Sequence, residues 1–174
     1  MDNVFIEFTK SVNGIPFFTK KAEVRKILGK PDTNSIEDSP PESEVNRAME
    51  LMEVAIKEAY KKMGKDPSSF RWPDISEYES DWDTYGHVQF EYDKQEKLIA
   101  VIILAERTGS FNLNGKEYNS FKLEDFLALS DDFIKEEEGA AYVSHSLQIG
   151  IWCPNMDKKI ESILFGCPGY YRKE

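Results

Sequence analysis

The chain has few of the residues from which catalytic and metal centres are usually built. Its 174 residues include two cysteines, Cys153 and Cys167, and two histidines, His87 and His145. None of the four falls at a C-x₂-C or H-x₃-H spacing, so no metal site is expected, zinc included. The two cysteines read as reduced thiols in or near a core. There is no G-x-G-x-x-G, P-loop, H-E-x-x-H, G-x-S-x-G or C-x-x-C, and so no cofactor is expected. Long apolar runs are missing too. The longest, Leu98 to Ala105, suits a strand and falls far short of the roughly 18 residues of a membrane span. Met1-Asp2-Asn3 lacks the basic and then apolar opening of a secretory leader, which gives a cytoplasmic expectation. Basic residues are also in deficit, with 22 Lys and Arg against 32 Asp and Glu and a net charge of −10. Phosphate-backbone binding needs clustered cations, so neither a nucleic acid nor a membrane is an expected partner.

What remains is an ordinary globular composition, 40% hydrophobic and 13% aromatic, in a chain of single-domain length. Val4, Ile6 and Phe8 alternate as in a strand, with Phe5 interrupting the pattern. Thr19 is placed to cap a helix carrying Val24, Ile27 and Leu28, which Gly29 and Pro31 would end. Asp32 to Pro41 has the composition of a linker. A long helix follows, from about Glu42 to Met63, with a stripe of Val45, Met49, Met52, Ile56, Tyr60 and Met63 of the kind that most often packs in a core. Residues 32–71 therefore read as a linker and helix inserted into one α+β domain spanning 1–174.

Beyond it the pattern is β. Val88, Phe90 and Tyr92 alternate, Leu98 to Ala105 suits a central strand, and Asn114-Gly115 is a strong two-residue hairpin signal. Leu123, Phe126 and Leu127 form a short helix with Ser120 as a candidate cap. Leu147, Ile149, Ile151 and Cys153 alternate, and Ile160 to Phe165 closes the sheet. The expected class is α+β, an antiparallel sheet of about six strands with helices on one face.

Two acidic clusters stand out. Trp72, Asp74, Glu77, Tyr78, Glu79, Asp81, Trp82 and Asp83 thread aromatics among acids with no basic residue between them. The second contains Asp131, Asp132, Glu136 and Glu137. Charge runs usually form a solvated face, but Trp and Tyr are the residues that anchor protein interfaces. Other chemistry is weakly supported. Ser144, His145 and Ser146 are adjacent, and on an extended chain neighbours point to opposite faces, which disfavours a Ser–His pair. Paired carboxylates are unremarkable in so acidic a chain. Asp131 to Glu138 lacks the glycine and ligand spacing of a calcium loop.

The stretch Gly14-Ile15-Pro16-Phe17-Phe18-Thr19-Lys20-Lys21-Ala22-Glu23-Val24-Arg25-Lys26-Ile27-Leu28-Gly29-Lys30-Pro31 has the opening seen in several small bacterial α+β families. Together with Tyr85 to Asp93, Lys97 to Ile102, Ser146 to Trp152 and Glu161 to Phe165, it resembles the immunity proteins of bacterial polymorphic-toxin and contact-dependent inhibition systems. That resemblance implies a non-enzymatic cytoplasmic protein that binds and blocks a cognate toxin domain, often a basic nuclease. The segment from about Asp32 to Arg71 departs from the pattern, and no contact residue carries over. The expectation is a binding protein that meets a basic toxin domain through acidic and aromatic surface. Its rivals are an enzyme with a carboxylate site and a module that self-associates through the long helix.

Overall fold

A computed structural model describes residues 4–35, 42–70, 81–105, 110–119, 121–136, 141–154 and 159–171. They belong to two compact units: Met1–Ser35 with Ser80–Glu174, and Ile36–Glu79.

The first unit begins with three short strands, β1 (Phe5–Glu7), β2 (Ser11–Val12) and β3 (Ile15–Pro16), followed by helix α1 (Lys21–Leu28) and strand β4 (Thr33–Asn34). Thr19 does not cap α1. The cap position is Lys20, which makes no side-chain hydrogen bond there, while the Lys21 N–H donates to the Glu96 carbonyl at 2.8 Å. Tertiary pairing thus does the work expected of a cap. Gly29 does end the helix with a left-handed φ of 88°. The linker composition after Pro31 did not prevent Thr33–Asn34 from pairing as β4.

In the second unit, helix α2 (Glu42–Lys62) leads to a 3₁₀ turn, Pro67–Ser69, whose Ser68 N–H donates to the Asp66 carboxylate at 2.9 Å. Tyr60 meets Phe70 edge-on at 6.0 Å. Within this unit the methionines of the stripe are not packed in a core. Met49, Met52 and Met63 are all exposed, Met63 by 59%.

The chain re-enters the first unit as β5 (Asp81–Tyr85), β6 (Val88–Tyr92) and β7 (Leu98–Leu104). Next come β8 (Phe111–Leu113), β9 (Lys116–Tyr118), helix α3 (Leu123–Leu127), β10 (Phe133–Lys135), β11 (Ala141–Ser144), β12 (Ile149–Trp152) and β13 (Ser162–Gly166). The class is α+β, but two sheets replace the expected one. The larger runs β10-β11-β12-β13-β7-β6-β5-β4 and the smaller β3-β2-β1-β8-β9. Among the described residues every strand pairing is antiparallel except β1 with β8.

Residue chemistry accounts for the pairings. The apolar run of β7 lies inside the large sheet, between β13 and β6. Asn114 and Gly115, at φ 49° and 86°, form the left-handed turn between β8 and β9 that their sequence announces. Ser120 lies outside the described residues, and the cap of α3 is Lys122. The inner face of the large sheet carries Val88, Phe90, Val101, Ile103, Ile149, Ile151, Ile163 and Phe165, all 1% exposed or less. Phe111 on the small sheet stacks on Phe126 at 6.0 Å and meets Phe165 edge-on at 6.1 Å, joining both sheets to α3. Cys153 and Cys167 are buried and are not joined in a disulfide.

The outer face of the large sheet opens at two glycines. A Cβ on Gly150 would lie 2.1 Å from the Tyr171 hydroxyl, and one on Gly166 would lie 2.5 Å from Tyr170 Cβ. The end of the described chain packs into the space these glycines leave. There Tyr170 donates a hydrogen bond to Glu91 Oε2 at 3.0 Å.

Candidate functional site

Of the first acidic cluster, Trp72, Asp74, Glu77, Tyr78 and Glu79 lie outside the described residues. Asp81, Trp82 and Asp83 are not in a loop but on β5, where alternation splits them. Trp82 is opposite Glu91 on one face, while Asp83 is opposite Phe90 on the other. Asp83 is fully buried and accepts from Arg25 Nε at 2.8 Å and Nη2 at 2.6 Å. It also accepts from the Tyr92 hydroxyl at 3.4 Å. Asp81 accepts from Lys21 Nζ and from Ser35 Oγ, each at 2.5 Å.

Helix and strand spacing make this match possible. Lys21 and Arg25 are one helical turn apart, a rise of about 6 Å, close to the roughly 6.6 Å between Asp81 and Asp83 on a strand. Burial pushes the Asp81 carboxyl up, but the Lys21 and Ser35 hydrogen bonds outweigh it and hold the group below its ordinary range. Hydrogen bonding to Asp83 holds the Arg25 proton more tightly than usual. Asp83 is therefore withdrawn as a partner contact. It fastens α1 to the sheet, and the sequence shows no sign of this because its partner stands 58 residues away.

The second cluster also divides. Asp132 accepts from Ser130 Oγ at 2.7 Å, Ser144 Oγ at 2.5 Å and the Ser146 N–H at 2.8 Å. The Ser130 and Ser144 bonds hold its carboxyl far below the usual range. This local network ties the turn before β10 to the β11–β12 hairpin. Ser144 Oγ is thus directed at Asp132, and the adjacent His145 is half-buried with its Nδ1 making no hydrogen bond.

Asp131 and Glu136 are different. Both are exposed, and neither forms an ion pair with a described residue. Glu137 lies outside the described residues. Asp131 and Glu136 flank β10, which ends the order of the large sheet, and its Ile134 is 59% exposed. Ile134 shares its face with Gly150 through Val143, and two residues beyond Gly150 on that face Trp152 is 44% exposed. Two acids with no ion pair among the described residues and two exposed apolar side chains therefore gather at one end of the sheet.

Sequence reading singled out the acids but missed Ile134 and Trp152. The signal for Trp152 was present, since it alternates with the buried Ile151 and Cys153. Among the described residues, no three His, Cys, Asp or Glu side chains converge to hold a metal ion. No helix of the described residues is long and apolar enough to cross a membrane. No family model, curated protein or solved structure matches the chain.

Proposed function

We propose that the protein is a non-enzymatic binding module of the immunity type, which meets a basic toxin domain through the β10 end of its large sheet. The observation that carries this reading is the patch itself. Among the described residues Asp131 and Glu136 pair with no cation, and Ile134 and Trp152 beside them are 59% and 44% exposed. An interface of this kind takes its affinity from apolar anchors at its centre. The flanking acids speed encounter and select a basic partner rather than add raw affinity. The net charge of −10 extends the same attraction over the whole surface.

The reading predicts that a neighbouring gene encodes a basic toxin-like domain, and the test is titration of the full chain with the domain found there. Saturable binding that Trp152→Ala weakens by tenfold or more supports the reading. Absence of binding to that domain, or binding indifferent to Trp152 and Ile134, refutes the assigned surface.

A further inference from the structure

Phe5 is exposed by 54% although it sits on a strand of the small sheet. Its neighbour Ile6 is 1% exposed, so strand alternation turns Phe5 to the outer face while Ile6 fills the core. Register continues that face across the sheet, since Phe5 is opposite Asn112 on β8 and Asn112 is opposite Glu117 on β9. Glu7, two residues along β1, lies on the same face. Phe5 stands between two surface hollows and lines both. One, of about 480 Å³, is bordered by Glu7, Ser11, Asn112 and Asn114. The other, of about 230 Å³, is bordered by Ser110, Asn112 and Glu117.

The chemistry of the walls is specific. Neither Glu7 nor Glu117 forms an ion pair with a described residue. Lys116, beside Glu117, lies instead over the Tyr118 ring at 4.9 Å. Glu7 accepts from Ser11 Oγ at 2.8 Å, which fixes its carboxylate at the hollow. The amide oxygens of Asn112 and Asn114 accept from the Gly115 and Phe8 N–H groups, at 2.8 Å and 3.0 Å. Both amides are oriented by those bonds, with the NH₂ ends turned away from them as donors.

We propose that this outer face of the small sheet binds an arginine side chain of an extended polypeptide. The guanidinium stacks on Phe5 between Glu7 and Glu117, and the Asn112 and Asn114 amides donate to the carbonyls beside it. A guanidinium suits the site better than an ammonium because its plane stacks on an aromatic ring while its edge pairs with carboxylates. The site lies on a different sheet from the β10 patch, and it requires an arginine-bearing segment but not a toxin.

The experiment titrates the ¹⁵N-labelled full chain with the peptide acetyl-Gly-Arg-Gly-Arg-Gly-amide and with its citrulline counterpart, which keeps the shape and loses the charge. Saturable amide shifts centred on Phe5, Asn112 and Glu117, absent with citrulline, are expected. Phe5→Ala should weaken the peptide by about two- to fivefold. The Glu7→Gln/Glu117→Gln double variant should weaken it further, while Glu124→Gln on α3 leaves it unchanged. The spectra themselves report whether each variant is folded. Shifts that track Asp131 and Glu136 and ignore Phe5→Ala would overturn the proposal while leaving the toxin reading standing, and so would the absence of any saturable shift.

Discussion

The Arg25 guanidinium clasps Asp83 with two hydrogen bonds, one partner 39% exposed along its side chain and the other fully shielded from water. The two sides of that pair are not equivalent. Removing Arg25 leaves a buried carboxylate with two weaker contacts, the Tyr92 hydroxyl at 3.4 Å and Lys21 Nζ at 3.8 Å, which Asp81 already engages, whereas removing Asp83 leaves a cation that can turn to solvent. Arg25→Met should therefore cost about 3 kcal/mol, the scale for breaking a buried ion pair from one side, and Asp83→Asn clearly less. Urea unfolding of both variants checks this. Equal costs would mean that Asp83 is not held chiefly by Arg25.

This pair shows where the sequence was legible and where it was not. Asn114-Gly115, the β7 run and the Gly29 stop of α1 were readable because each is set by residues within one turn or strand. Asp83 was not, because its burial depends on a helix 58 residues earlier in the chain. The same holds for Thr19, displaced as a cap by pairing with β7, and for the parallel β1–β8 contact that creates a second sheet. Of the candidate site, the exposed acids Asp131 and Glu136 were visible in the sequence. Their apolar neighbours Ile134 and Trp152 emerged only when sheet register placed them on one face.

The outer glycines give a graded test of packing. A methyl at Gly166 meets Tyr170 Cβ at 2.5 Å, next to a backbone anchored by the Tyr170 N–H bond to the Cys167 carbonyl. A methyl at Gly150 meets first the far end of the Tyr171 ring, its hydroxyl at 2.1 Å. Gly166→Ala should destabilise by about 1–3 kcal/mol as an overpacked site, and Gly150→Ala by less because Tyr171 can swing aside. Thermal melts of the two variants should rank in that order.

Glu91 is a half-buried carboxyl whose pKa burial pushes up, with the Tyr170 hydrogen bond only partly offsetting the shift. A folded-state pKa above the unfolded one favours the fold below the unfolded value near 4.3 and loses that contribution as pH rises through the folded value. Glu91→Gln keeps an acceptor for Tyr170 and removes the charge. The variant should melt higher than the parent at pH 7, with the difference closing as pH falls to about 4. A lower melting temperature at pH 7 would show that the ionised form is favoured at this site.

Asp132 works in the opposite direction. Its folded pKa is depressed by the Ser130 and Ser144 hydrogen bonds, so its contribution is present above the unfolded value near 3.9 and fades as pH falls below it. Asp132→Asn should flatten the acid limb of a stability–pH profile and leave the shape above pH 5 unchanged. An unaltered acid limb would remove Asp132 from the account of acid unfolding.

Binding of a basic domain at the β10 patch is tested most directly by stopped-flow association of the full chain, across a salt series, with the basic toxin-like domain that a neighbouring gene is predicted to encode. The parent protein should associate fast at low salt and slow steeply as salt rises. The Asp131→Lys/Glu136→Lys variant should associate about tenfold more slowly at low salt, with a shallower salt dependence and stability within about 0.5 kcal/mol of the parent. No association, or a rate that neither salt nor the reversal changes, would contradict the claim.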